Sequence, residues 1–78
     1  MDILERVREI IADTTQNSVE EITEQSTWKN VDGWDAVAQI NILVTVEMDF
    51  GISFTPEEME SLNSVKKIMS ALKVQVAA

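Results

Sequence analysis

The sequence predicts an all-α protein, a small four-helix bundle built from three substantial helices and one short one. Three observations carry that prediction. Apolar residues recur at helical spacing near both ends of the chain, and helix start and stop signals bracket the two segments between them. The 78 residues also contain no cysteine, which excludes disulfides and thiolate metal sites and leaves packed helices as the source of stability. An apolar share of 45% suffices for a globular core and is too high for a disordered chain. Residues 1–78 are read as one domain, since a chain this short has no room for a second core.

The first helix is signalled by Ile3, Leu4, Val7, Ile10 and Ile11, which form one apolar stripe at i, i+3/i+4 and i+7. Asp2 with Glu5 three residues later resembles a capping box, and the pattern fades over Asp13–Asn17. Residues 18–34 read as a long first loop. A loop of that length in a compact domain has to pack or function. Val19, Ile22, Trp28, Val31 and Trp34 are spaced to pack across the helices, with a helical turn at Val19–Ile22, and Asp32-Gly33 supplies a turn before the next element.

Residues 36–50 pull in two directions. Ile40, Ile42, Val44, Val46, Met48 and Phe50 alternate with Asn41, Leu43, Thr45, Glu47 and Asp49, a period-two pattern rich in β-branched residues that suits a strand. Against it stand the length, the N-cap candidate Asp35 and Gly51 placed as a helix stop. A lone strand would also lack a partner. Helix is the reading adopted, for a central element that is apolar on most of its circumference and nearly surrounded. Thr55-Pro56-Glu57-Glu58 then starts a short helix over about Pro56–Ser61, with Met59 and Leu62 facing inward. Asn63 or Ser64 caps the last helix, where Val65, Ile68, Met69 and Leu72 share a stripe opposite the lysines.

Charge bounds the partners. The formal net charge is −8, and residues 1–65 hold all fourteen acids with only Arg6, Arg8 and Lys29 as bases. The last thirteen residues hold Lys66, Lys67 and Lys73 and no acid. Such a body repels nucleic acid and anionic lipid and attracts basic protein surfaces, although acidity also serves plain solubility. No apolar stretch approaches a membrane span and no basic leader precedes an apolar run, so a cytoplasmic protein is expected; a monomer is expected as well.

An enzyme is not expected. Histidine and cysteine are both absent, which removes the usual general base, thiol nucleophile and imidazole ligand. The acids lie at helix starts and on exposed faces, and those around Asp32 and Asp35 lack the spacing of a calcium loop, so no metal site is expected. There is no glycine-rich phosphate loop, and Phe50 and Phe54 are read as core residues.

Gly33-Trp34-Asp35-Ala36-Val37-Ala38-Gln39-Ile40-Asn41 resembles the prosthetic-group motif of the acyl carrier protein family, in which an Asp-Ser-Leu triplet opens the second helix. Val46-Glu47-Met48-Asp49-Phe50-Gly51-Ile52 is similar to the family's acidic helix end. Phe54-Thr55-Pro56-Glu57-Glu58 and Asn63-Ser64-Val65 match its third helix and the start of its fourth. The resemblance covers nearly the whole chain, implies a bundle of acyl-carrier type, and decides for helix at residues 36–50.

The resemblance implies a carrier that holds acyl intermediates as thioesters on a 4′-phosphopantetheine arm and delivers them to enzymes. The implied partners are a phosphopantetheinyl transferase and ketosynthases, acyltransferases or ligases with basic docking patches. The implied pathways are fatty acid, polyketide, nonribosomal peptide, or lipid and polysaccharide modification. Ala36 stands where the attachment serine belongs, flanked by Asp35 and by Val37 in place of leucine, which is expected to keep an apolar anchor in the core. A methyl offers no oxygen to esterify, and Ser18, Ser26, Ser53, Ser61, Ser64 and Ser70 lie outside the motif. Two origins fit: a deliberate Ser→Ala change in a competent carrier, favoured because the surroundings still read as a working motif, or a natural arm-less regulatory or interaction module binding basic surfaces.

Partner recognition is expected from Asp35, Glu47, Asp49, Glu57 and Glu58, the alternative for Glu57 and Glu58 being that they only complement a helix start. Ile40, Leu43, Val44, Val46, Ile68, Met69 and Leu72 are candidates to line a crevice for an acyl chain, with ordinary packing as the alternative. Met59 and Met69 supply a deformable wall.

Overall fold

The structure, a computed structural model, describes residues 3–76, with the side chain of Val76 excepted. Four helices follow one another: α1 (Ile3–Thr15), α2 (Ala36–Phe50), α3 (Pro56–Ser61) and α4 (Val65–Val76). A short 3-10 turn, Val19–Glu21, interrupts the first loop. No strand occurs among the described residues, only an isolated antiparallel bridge between Thr27 and Ser64 that ties the loop to the start of α4. The capping role expected of Asp2 lies outside the described residues.

α1 packs on both α2 and α4, and α3 packs on α2. Val7, Ile10 and Ile11 of α1 meet Ile42, Leu43 and Val46 of α2 and Val65, Ile68 and Leu72 of α4 in one cluster. Ile11, Ile42, Leu43, Ile68 and Leu72 are completely buried, each contributing about 1.5–3 kcal/mol from apolar area removed from water. Phe54 is buried and Phe50 packs at the margin of the cluster.

The helix ends follow local chemistry. Asp35 has extended backbone angles and its side chain accepts from the amide of Ala38, while Gly51 closes α2 in the left-handed region at φ 67°. Thr55 and Glu58 complete a capping box with Pro56 in the first turn of α3. Ser64 Oγ accepts from the Lys67 amide at 3.2 Å, the cap expected for α4. α1 ends in a left-handed turn at Gln16, φ 60°, with the Asn17 amide donating to Ala12 O at 2.9 Å.

The long loop packs, but not through every residue expected. Ile22, Val31 and Trp34 are buried, whereas Trp28 is 48% exposed. Arg8 anchors the loop by donating to the carbonyls of Ile22 (2.6 Å) and Val19 (2.9 Å). Two further expectations are corrected on α2. Val37 is 68% exposed and anchors nothing in the core. The helix is central but not surrounded: Val37, Ile40, Val44 and Met48 form an outward apolar stripe, opposite Ala38, Gln39, Ile42, Leu43 and Val46. Two apolar faces on one helix, at i, i+3 and i+4 spacing each, are what produced the alternating pattern in the sequence.

Candidate functional site

The candidate site is the N-terminus of α2, and the preceding turn is held in place from the far end of α1. Gly33 adopts φ +87°, and a Cβ there would come within 3.0 Å of Thr15 O, so only glycine fits both the angle and the space. Asn17 Nδ2 donates to Thr15 Oγ1 (2.8 Å) and to Asp32 O (2.9 Å), clamping the turn onto α1. Asp35 follows, and its Oδ1 accepts from the Ala38 amide at 2.8 Å. Ala36, the first helical residue, is exposed at the outlet of that cap. The first-turn amides give this end of the helix a positive field.

An open groove of about 420 Å³ begins at Ala36. It is lined by Asp35, Gln39 and Ile40, by Met59 and Glu60 of α3 with Asn63, and by Trp28 and Trp34 of the loop. A broader recess of about 710 Å³ lies on the loop side and shares Trp28, Trp34, Asp35 and Ala36 with the groove. Lys29 Nζ stands 5.8 Å from the Trp28 ring centroid. Beneath the groove, Trp34 Nε1 donates to Gln39 Oε1 at 2.7 Å, and Gln39 Nε2 donates to Leu62 O at 2.7 Å and Met59 O at 3.2 Å.

The residues anticipated from sequence divide. Asp35, Ala36 and Ile40 meet at the groove. Leu43, Val46, Ile68 and Leu72 lie fully buried in the packed core, Met69 is half-buried, and Val44 sits on the outward stripe at 39% exposure. The carboxylates have internal employment. Asp49 accepts a two-pronged contact from the Arg6 guanidinium of α1, through Nε and through Nη2 at 3.1 Å. That hydrogen bond, with the Arg6 charge adding to it and desolvation acting against it, holds the Asp49 carboxyl below the usual aspartate range. Glu47 Oε2 accepts from the Phe54 amide at 2.6 Å, and Glu58 Oε1 from the Thr55 amide at 2.9 Å. Glu57 is exposed on the surface of α3.

Met59, anticipated as a deformable wall, lines the groove, and Trp28, Trp34, Gln39, Glu60 and Asn63 complete it without having been singled out as its lining. Gln39 carried a usable signal, a long polar residue at an inward position of an apolar helix. No group of three or more potential metal-ligating side chains occurs among the described residues. No helix among them is long and apolar enough to cross a membrane.

Residues 5–72 match the protein family described as "Phosphopantetheine attachment site". The chain is 26% identical over 77 residues to an "Acyl carrier protein" of Thermosynechococcus vestitus, covering 99% of this chain and 95% of that one. It is 27% identical over 71 residues to an "Acyl carrier protein" of Coprothermobacter proteolyticus (91% and 87% covered), and 25% identical over 71 to one of Petrotoga mobilis (91% and 84%).

Proposed function

The chain belongs to the acyl carrier protein family of phosphopantetheine-attachment domains, and from that premise we propose that its scaffold carries acyl intermediates between enzymes, here in a form disarmed at position 36. The family is one of carriers, not enzymes, and its prosthetic group is 4′-phosphopantetheine. When bound, that group supplies a thiol on which an acyl chain is held as a thioester. The residues present do not fit it covalently: the side chain at the motif position is a methyl, without an oxygen to form the phosphodiester.

The observation that carries the reading is the placement of residue 36. It is exposed, at the first position of a capped helix, and at the mouth of a groove. A hydroxyl there would be open to a transferase and would present its phosphodiester to the positive end of α2. The Gly33 turn, the Asp35 cap and the groove are in place around it, which supports a Ser→Ala replacement in an otherwise competent carrier. With the arm excluded, the activity left to this chain is docking, in the cytoplasm and as a monomer.

The exposed stripe Val37, Ile40, Val44 and Met48 is the contact surface we assign to partner enzymes, such as transferases, ketosynthases, acyltransferases or ligases with basic docking patches. Apolar contacts supply the affinity, and the acidic surroundings speed encounter and keep it salt-sensitive. Asp49 and Glu47, tied to Arg6 and to Phe54, shape this face more than they meet a partner. Asp35 and Glu57 remain outward.

The Ala36→Ser protein, incubated with coenzyme A and a broad-specificity phosphopantetheinyl transferase, is expected to gain the mass of one arm. A second reading, a natural arm-less interaction module, is favoured by a docking stripe that needs no arm. It is chosen instead if the serine variant gains no mass while the unaltered chain binds a basic partner.

A further inference from the structure

We propose that Gln39 is the positioning residue of the groove at position 36: its side-chain amide latches the short helix α3 and the Trp34 loop onto α2, and thereby sets the groove's width. Gln39 is only 8% exposed, on the inward face of α2 beside Ala38, Ile42 and Leu43. A buried amide is costly unless bonded, and this one is fully used on its donor side. Its oxygen accepts from Trp34 Nε1 at 2.7 Å, and its nitrogen donates to Leu62 O at 2.7 Å and Met59 O at 3.2 Å. Those two carbonyls stand at the C-terminal end of α3, where a helix leaves its carbonyls without intrahelical partners.

α3 depends on such help. It has six residues, far too few to be stable alone, and none of them is buried. Among the helices it packs substantially on α2 only. Two side chains of α2 pin its two ends: Glu47 accepts from the Phe54 amide ahead of it, and Gln39 holds Met59 and Leu62 behind. Met59, Glu60 and Asn63 form the far wall of the groove, so any displacement of α3 changes the opening beside Ala36. An element with little burial and a few side-chain ties opens locally well before the whole fold does. Releasing the Gln39 amide therefore widens the groove while α1, α2 and α4 stay packed. The consequence for partners rests on the carrier reading of position 36 proposed above; the latch itself does not.

Two substitutions separate the two halves of the latch. In Gln39→Glu the carboxylate still accepts from Trp34 Nε1 but has no N–H for Leu62 and Met59. In Trp34→Phe the loop bond is lost and the α3 bonds remain. Residue-resolved hydrogen exchange on the full chain is the readout. In the unaltered protein, amides 58–62 are expected to exchange through a local opening insensitive to low denaturant, while those of Leu43 and Ile68 follow global unfolding. Gln39→Glu should speed exchange at 58–62 roughly tenfold or more, as loss of buried hydrogen bonds implies, with much smaller changes in α1 and α4. Trp34→Phe should leave 58–62 nearly unchanged relative to the other helices. The proposal is overturned if α3 exchanges only with global unfolding in the unaltered chain, or if Gln39→Glu speeds all helices equally or none. The first arm needs no variant to fold. None of the arms needs a partner or an arm at residue 36, so failure here and failure of the carrier reading are distinguishable.

Discussion

A methyl at position 36 is compatible with everything that surrounds it, because the cap is made by Asp35, the turn by Gly33, and the groove floor by Gln39. Ala36→Ser should accordingly change stability by less than about 0.5 kcal/mol, measured by urea denaturation, as expected for an exposed position. Gln16 is a different case. It holds φ 60° at the end of α1, where a side chain is strained and glycine is not. Gln16→Gly should stabilise the protein by about 0.5–1 kcal/mol, visible as a higher denaturation midpoint with an unchanged slope. Asp49 carries the clearest pH dependence. The Arg6 hydrogen bond lowers its folded pKa, so the pair's stabilisation is present above the ordinary aspartate value of 3.8 and is lost as pH falls through the lower folded value. The stability difference between the unaltered chain and Asp49→Asn should thus be constant near neutrality and shrink below about pH 3.8. At this scale the sequence was legible where chemistry is local. Asp35, Gly51 and the Thr55–Glu58 box act within four residues and were readable, whereas the Arg6–Asp49 pair spans 43 residues and the Gln39–Leu62 bond 23, which no spacing rule reaches.

At the scale of elements, α2 shows how one helix can imitate a strand. A core-facing stripe and an outward docking stripe together cover most of its circumference, and overlaying two helical periods leaves alternation in the sequence. The alternation taken alone suited a strand; the length, the bracketing Asp35 and Gly51 and the family resemblance decided for helix. The expectation that the helix is surrounded failed for the same reason, since periodicity counts apolar residues and does not tell a partner-facing stripe from a buried one. Trp28 was misplaced likewise: its loop packs through Ile22, Val31 and Trp34, and Trp28 is left at the groove. α3 is held by its box and by α2, so Thr55→Ala should cost about 1 kcal/mol and raise exchange within α3 more than elsewhere. An equal rise in every helix would show that α3 is coupled to the global fold and not to its cap.

For the whole molecule, the acidic body and the exposed stripe divide the work of docking. If the stripe supplies the contact, Ile40→Asp and Met48→Asp in the Ala36→Ser background should leave the denaturation midpoint nearly unchanged and slow transfer of the arm at least tenfold, as loss of apolar contact surface implies. Raising the salt concentration should slow the same reaction through the encounter rate, because the net charge of −8 acts over distances that salt screens. The bundle and the order of its helices were legible from sequence because they follow helix signals and a family pattern. The groove was not, since it is assembled from a loop, two helices and a connection that meet only in three dimensions. The most direct measurement is intact-mass and fragment-mass spectrometry of the unaltered and Ala36→Ser chains after identical incubation with coenzyme A and a phosphopantetheinyl transferase. The expected result is one arm on the serine variant, localised to residue 36, and none on the unaltered chain; no arm on the variant, or an arm on another serine of either chain, would contradict the assignment of position 36.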